Sequence, residues 1–285
     1  MTPGKIGVFD SGYGGLTILS SLRRHLPQYD YLYLGDNARA PYGNRSFELV
    51  YRFTLQAVEE LFRRGCNLVI LACNTASAKA LRSIQQNDLP TIDPQKRVLG
   101  VIRPTAEAIG RVTDTRHIGV LATKGTIDSQ SYNLETAKLH PDVTVNGHAC
   151  PMWVHLVEND EALGPGADYF VDKDIKALLE KDPQIDTVIL GCTHYPILLP
   201  KIKEYMPQSI KILPQGDIVA GSLADYLQRH AEIRDVCTTG GTVEFLTTEN
   251  PAVFNRLASL FLNHEVHSQG IRLPRPDKGS KKEEL

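Results

Sequence analysis

No apolar run in the chain is longer than a β-strand, far short of the ~20 residues that a membrane-crossing helix needs, so no membrane span is expected. Neither sign of charge dominates: 31 Lys and Arg stand against 33 Asp and Glu, a formal net charge of -2. Nothing in that balance predicts the broad basic face of a nucleic-acid-binding protein. The five cysteines, Cys66, Cys73, Cys150, Cys192 and Cys237, are odd in number and lack the short spacings of a disulfide framework or a zinc site. The chain also opens without the basic and apolar stretches of a secretion signal, which predicts a soluble protein of a reducing compartment, the cytoplasm. The glycine-rich segment Val8 to Gly15 has neither the dinucleotide-binding fingerprint nor the Walker spacing with its Lys-Ser/Thr. No His/Cys/Asp cluster has metal-ligand spacing, and no lysine sits in a pyridoxal-phosphate context, so neither metal nor cofactor is expected.

What is present is a regular alternation. With 285 residues, 42% of them hydrophobic, the chain is long enough for one large or two smaller domains. Strand-like runs at Lys5 to Phe9, Tyr31 to Leu34, Asn67 to Leu71 and Val98 to Ile102 are separated by helix-length segments at Gly15 to His25, Ser46 to Arg64 and Ala76 to Gln86. Leu49, Phe53, Val58 and Phe62 fall near one helical face. This is the pattern of an α/β fold with a mainly parallel sheet. The plan then repeats: Ile6-Gly-Val8 recurs as Ile118-Gly-Val120 in the run His117 to Leu121, and Asn67 to Leu71 recurs as Thr187 to Leu190.

The alternation therefore predicts two pseudo-symmetric three-layer α/β domains with mainly parallel sheets and a site in the cleft between them. Residues 1–99 plus 214–268 form the first and residues 100–213 the second, with crossings near Gly100 to Pro104 and Leu213 to Asp217. A helix over Val219 to His230, a strand over Thr242 to Leu246 and a helix over Pro251 to Leu262 complete the first domain. The polar stretch 269–285 reads as a disordered tail.

Ligands of parallel α/β sheets gather at the carboxyl ends of the strands, and the polar residues crowd there. Cys73 ends one apolar run and is followed by Asn74 and Thr75; Cys192 ends its counterpart and is followed by Thr193 and His194. A following helix, capped by Asn74 or Thr75, would lower the Cys73 thiol pKa from its usual ~8.5. Alone, Cys73 reads more readily as a packing cysteine. Two packing cysteines seldom both land between an apolar strand and small polar residues, and it is the pairing that points to chemistry. His194 can orient the Cys192 thiol, hold its proton or pair with its thiolate. Asp10 is a turn former or a base or orienting group beside a thiol. The loop Asp36 to Gly43 offers Tyr42 and the Gly43 amide to an anion, while Glu158 reads most simply as part of an exposed helix face.

Five stretches together resemble the glutamate racemases of the aspartate/glutamate racemase superfamily: Gly7 to Gly15, Gly35 to Gly43, Ala72 to Ser77, Cys150 to Glu158, and Gly191 to Pro196. They occur in the family's order and span most of residues 5–225. The resemblance implies that Cys73 and Cys192 are the acid/base pair, Cys73 taking the α-proton from D-glutamate and Cys192 from L-glutamate. It implies that Asp10 assists Cys73, that His194 assists Cys192, and that Glu158 is a further helper. It assigns Ser11, Tyr42 and Gly43 to the side-chain carboxylate of the substrate, and Asn74, Thr75 and Thr193 to its α-carboxylate and ammonium. It implies neither pyridoxal phosphate nor metal, glutamate as the small-molecule partner, a possible homodimer, and D-glutamate made for peptidoglycan in a bacterial cytoplasm. The rivals are a sister enzyme acting on aspartate and a non-catalytic amino-acid-binding protein. Arg103 and a longer loop over Asn159 to Asp174 depart from the family pattern.

Overall fold

A computed structural model describes residues 1–274. Among the described residues ten strands form two sheets. In chain order they are β1 (Ile6–Asp10), β2 (Tyr31–Gly35), β3 (Leu68–Leu71), β4 (Arg97–Gly100), β5 (His117–Ala122), β6 (Thr144–Ala149), β7 (Thr187–Gly191), β8 (Lys211–Leu213), β9 (Val243–Thr247) and β10 (Ser268–Gly270). One sheet has the order β10-β9-β2-β1-β3-β4 and the other β6-β5-β7-β8, and every pairing is parallel. Parallel strands need crossover connections, and helices supply them, covering both faces of each sheet.

Alternate residues of each strand enter different cores. In the six-stranded sheet Ile6, Val8, Tyr31, Tyr33, Leu68 and Ile70 meet one helical layer, which includes Gly15–His25, Gly216–Arg229 and Pro251–Leu262. Phe9, Leu32, Leu34, Val69 and Leu71 meet the other, built on Phe47–Arg63 and the segment after β3. The smaller sheet is covered in the same way, by Trp153–Glu158, Pro165–Leu179 and Leu199–Tyr205 on one face and Ile102–Ile109 and Ser131–Leu139 on the other. Each unit is a three-layer α/β sandwich.

The repeat read in the sequence is a repeat of topology. The set β2-β1-β3-β4 matches β6-β5-β7-β8 strand for strand, so Ile6-Gly-Val8 and Ile118-Gly-Val120 occupy equivalent central strands. Their glycines face equivalent helices: a Cβ on Gly7 would meet Leu61 at 3.3 Å, and one on Gly119 would meet Leu178 at 2.6 Å. The strand over Thr242 to Leu246 returns to the first sheet as β9, beside β2.

Several expectations are corrected. The expected helix over Ala76 to Gln86 is broken into Asn74–Lys79, Leu81–Ser83 and a wide turn at Ile84–Asp88, ahead of Leu89–Ile92, where Pro90 has no amide to give a continuous α-helix. The strand expected to reach Ile102 stops at Gly100, and Ile102–Ile109 is helical, with Pro104 tolerated in its first turn. The helix Phe47–Arg63 buries Val50, Thr54, Ala57, Val58, Leu61 and Phe62, so the core stripe keeps Val58 and Phe62 but leaves Leu49 and Phe53 at its border. The long loop expected over Asn159 to Asp174 ends at Gly164, because Pro165 opens a helix. The first residues of the expected tail are ordered: β10 runs to Gly270, and the Ile271 amide donates to the Thr247 carbonyl at 2.8 Å. The remainder of that expectation, residues 275–285, lies outside the described residues.

Candidate active site

The carboxyl ends of β1, β3 and β7 converge. β1 delivers Asp10, fully buried at its last position, followed by Ser11 and the turn to Gly15. β3 is followed by Cys73, and β7, its topological equivalent in the second sheet, by Cys192. Each cysteine is 6% exposed. The thiols stand close enough for charge on one to disfavour charge on the other.

Around Cys73, the thiol itself caps the helix Asn74–Lys79, accepting from the Ala76 amide at 3.4 Å; neither Asn74 nor Thr75 does so. The Ser11 hydroxyl lies 3.4 Å from the sulfur. The helix end and Ser11 do favour a thiolate, but they do not prevail. Burial, and after it the nearby Asp10 carboxylate, push the Cys73 pKa up to about 12. The expectation of a lowered thiol pKa is therefore corrected, because a six-residue helix cannot offset the burial of the sulfur.

Cys192 has different neighbours. Its sulfur lies 3.9 Å from His194 Nδ1, and His194 Nε2 lies 3.1 Å from Glu158 Oε1. Glu158, an exposed helix residue on its own pattern and a helper by the resemblance, thereby stands beside His194. Burial pulls the His194 pKa down, but the hydrogen bonds and charges of Cys192 and Glu158 outweigh it and raise the imidazole to about 10. The ring is held edge-on against Phe261, with centroids 6.3 Å apart. At neutral pH a cation therefore stands beside the second sulfur.

That assignment fixes the sign of a pH dependence. A histidine raised in the folded state from 6.5 to about 10 stabilises the fold fully below about 6.5, and that contribution is lost as pH rises through about 10. Any activity that needs the imidazolium falls over the same alkaline limb. Glu158→Gln removes one of the groups raising His194, so the alkaline limb of kcat/KM is expected to move to lower pH. An unmoved limb in a pH-rate profile would show that His194 is not the titrating group.

Asp10 holds the units together more than it touches Cys73. Its carboxylate accepts from the Gly12 amide at 2.9 Å and from Thr193 Oγ1 at 3.4 Å, across the cleft. Burial raises its pKa, with His194 opposing. The approach is tight: a Cβ on Gly14 would lie 2.3 Å from Thr193 Oγ1 and 2.5 Å from His194 Nδ1. Gly12 and Gly14 thus allow contact with the opposite unit, whereas a Cβ on Gly15 would meet Asp10 of its own unit at 2.4 Å.

The remaining expected residues divide. Asn74 and Thr75 are buried beside Cys73. The Tyr42 hydroxyl donates to Asp36, whose carboxylate also takes Arg39. The Gly43 carbonyl accepts from the Gly125 amide at 2.8 Å, which brings this loop against the second unit. Sequence reading missed Thr123 and Thr126. Their hydroxyls lie 2.9 and 3.4 Å from Thr75 Oγ1, a three-threonine cluster shared by both units. The signal was available, since Thr123 follows β5 as Cys192 follows β7. A cavity of about 220 Å³ reaches Cys192 and Thr193 between Thr17, Ser21 and Gln215. Among the described residues no group of three or more His, Cys, Asp or Glu is arranged to hold a metal ion, and no helix is long and apolar enough to cross a membrane.

Two thiols presented from matching strand ends to one cleft match a protein family as well as a geometry. The Asp/Glu/Hydantoin racemase family model matches residues 16–220. The chain belongs to that family. It is an isomerase, an amino-acid racemase. Over 271 residues it is 38% identical to a glutamate racemase of Ruegeria pomeroyi, covering 92% of this chain and 97% of the relative. A glutamate racemase of Roseobacter denitrificans is 40% identical over the same share of both chains. Among solved structures, the racemase isoform RacE1 of Bacillus anthracis superposes with a TM-score of 0.86 at 35% identity, over 95% of this chain and 98% of the other. The Francisella tularensis glutamate racemase, solved with D-glutamate, gives 0.82 at 31% identity over the same shares.

Proposed function

We propose that this racemase interconverts L- and D-glutamate by proton transfer at Cα between two thiols, without cofactor or metal. The observation that carries the reading is the placement of Cys73 and Cys192 at equivalent strand ends of two sheets, buried in one cleft. The substrate follows from the relatives named above, one of them solved with D-glutamate.

In the L-to-D direction Cys192, as thiolate, takes the α-proton. Cys73, as thiol, gives its proton to the opposite face of the carbanion, leaving Cys73 as the thiolate and inverting the centre. The reverse direction exchanges the roles. A thiol raised to about 12 keeps its proton at neutral pH, which fits Cys73 as the protonated partner met by a substrate entering as L-glutamate. The His194 imidazolium, held by Glu158, offsets negative charge at Cys192, and Asp10 serves the Cys73 side. Charge developing on the α-carboxylate needs fixed donors, because an amino-acid α-proton is weakly acidic. Asn74, Thr75 and Thr193 supply them, and the cluster with Thr123 and Thr126 extends the set. Ser11 and the main-chain amides of Tyr42 and Gly43 take the side-chain carboxylate. Residues 1–99 with 214–268 and residues 100–213 act as two domains whose closure excludes water from the thiols. D-glutamate so made feeds peptidoglycan synthesis in the cytoplasm.

The purified chain, incubated with L-glutamate and monitored by circular dichroism, is expected to bring the signal to zero at the racemic mixture, with or without a chelator. An unchanged signal would reject the assignment, and faster loss of signal from L-aspartate would move it to the sister activity.

A further inference from the structure

Asn74, next to Cys73, is held in a closed ring of hydrogen bonds. The Tyr132 hydroxyl donates to Asn74 Oδ1 at 2.8 Å, and Asn74 Nδ2 donates to Gln215 Oε1 at 2.7 Å. Gln215 Nε2 in turn donates to the Tyr132 oxygen at 2.7 Å and to Thr105 Oγ1 at 2.8 Å. Each member of the ring is both donor and acceptor, so the two amides fix each other's orientation. Turning either one would set donor against donor and acceptor against acceptor. The ring is dry: Asn74, Tyr132 and Gln215 are exposed by 3% or less, where a broken hydrogen bond is not replaced by water. Burial holds the Tyr132 pKa above its ordinary value, so the hydroxyl keeps its proton and remains a donor.

The members come from separate parts of the fold. Asn74 begins the helix after β3 in the first sheet. Tyr132 and Thr105 lie on the helices Ser131–Leu139 and Ile102–Ile109, which pack on the second sheet. Gln215 lies just after β8, where the chain turns back toward the first sheet, and it lines the cavity that reaches Cys192. The ring thus joins the backbone beside one thiol to a wall beside the other.

We propose that Tyr132 and Gln215 are positioning residues for proton transfer, orienting the Asn74 amide toward the substrate and setting the Cys73 strand end in register with the Cys192 side. The inference rests on the proposed role of Asn74 in holding the substrate's α-substituents. The chemistry of the amide is consistent with it. The ring uses one of the two Nδ2 hydrogens and one of the two Oδ1 lone pairs, which leaves one donor for a carboxylate and one acceptor for an ammonium.

The test is a double-mutant cycle on the full chain. Tyr132→Phe keeps the ring's volume while deleting the hydroxyl that both donates to Asn74 and accepts from Gln215. Its kcat/KM for glutamate is expected to fall by ~10–100-fold, the scale of a small misplacement acting through a neighbour, with a melting temperature lowered by the unpaired Asn74 and Gln215 amide groups but the cooperative fold retained. In an Asn74→Ala background the same change is expected to have almost no further effect, because the group it positions is gone. A merely structural role predicts that the two losses multiply, and that outcome overturns the proposal, as does a Tyr132→Phe enzyme as active as wild type. If Tyr132→Phe fails to fold, Gln215→Met, similar in size and unable to complete the ring, enters the same cycle with the same two readings. An active wild type with multiplying losses sinks this inference alone. A wild type inert on glutamate sinks the functional reading and takes this one with it.

Discussion

Cys73→Ala and Cys192→Ala are each expected to abolish net racemisation of glutamate, a loss of ~10³-fold or more, since a positioned acid or base is worth ~10²–10⁴-fold and inversion needs one on each face. The asymmetry of the loss is more informative than its size. With Cys73 gone, Cys192 still removes the α-proton of L-glutamate but can return a hydron only to the same face. In deuterated water L-glutamate should then gain deuterium at Cα without becoming D-glutamate. With Cys192 gone, D-glutamate should do the mirror-image exchange through Cys73 and Asp10. Both sulfurs are nearly buried, 6% exposed, so solvent is a poor substitute for either. Substantial two-way racemisation surviving either substitution, followed by circular dichroism and by NMR of the Cα proton, would falsify the two-thiol mechanism.

Gly14→Ala is expected to cost ~100-fold in kcat/KM, the scale of a misplacement of about an ångström at a reacting centre, while leaving the fold intact. Local conformation argues the other way. Gly14 has φ -57 and ψ -35, an ordinary helical geometry at the start of Gly15–His25 that alanine adopts without backbone strain. The tertiary contact decides. The added methyl would fall 2.3 Å from Thr193 Oγ1 and 2.5 Å from His194 Nδ1, too close for either to stay. Since these belong to the segment after β7 and Gly14 to the one after β1, relief comes by parting the two sides of the cleft. Thermal unfolding should show a near-unchanged midpoint, and the pH-rate profile should show a shifted alkaline limb because His194 has moved. An enzyme of near-wild-type activity would mean that the cleft works in a more open form than the one described.

The strands that the sequence revealed are mostly those with apolar residues on both faces. β1, β2, β3, β5 and β7 lie inside their sheets and read as continuous apolar runs. The strands it hid, β6, β8 and β10, are at sheet edges: Thr144–Ala149 carries Asn146 and His148, and Lys211–Leu213 and Ser268–Gly270 are three residues each. An edge strand is half solvated and needs no apolar run, so its signal is weak. The break in the expected helix after Cys73, and the start of a helix where a strand was expected at Ile102, are boundary matters that propensity does not resolve and packing does.

At the site, the sequence marked the residues that follow strands, because the carboxyl ends of a parallel sheet face one cleft whatever the details. It could not show what a side chain faces once there. Tyr42 turns back to Asp36 within its own loop, while Glu158 reaches His194, and Thr123 and Thr126 join Thr75, through contacts between residues far apart in the chain. The ionisation of Cys73 is the sharpest case. A helix start is a local feature and predicts a more acidic thiol, while burial and the Asp10 carboxylate are products of the whole fold and push it up to about 12.

By itself, then, the sequence determined the α/β class, the repeated plan and the two cysteines as a pair, because alternation of apolar runs and residues at strand ends are properties of short segments. The tertiary structure alone decided the geometry and charge that make those cysteines unequal: a Ser11 hydroxyl at the Cys73 sulfur, burial and an Asp10 carboxylate that push that thiol up, and a His194 ring held between the Cys192 sulfur and Glu158. Desolvation and distance depend on what the rest of the chain brings near, and no local pattern encodes them.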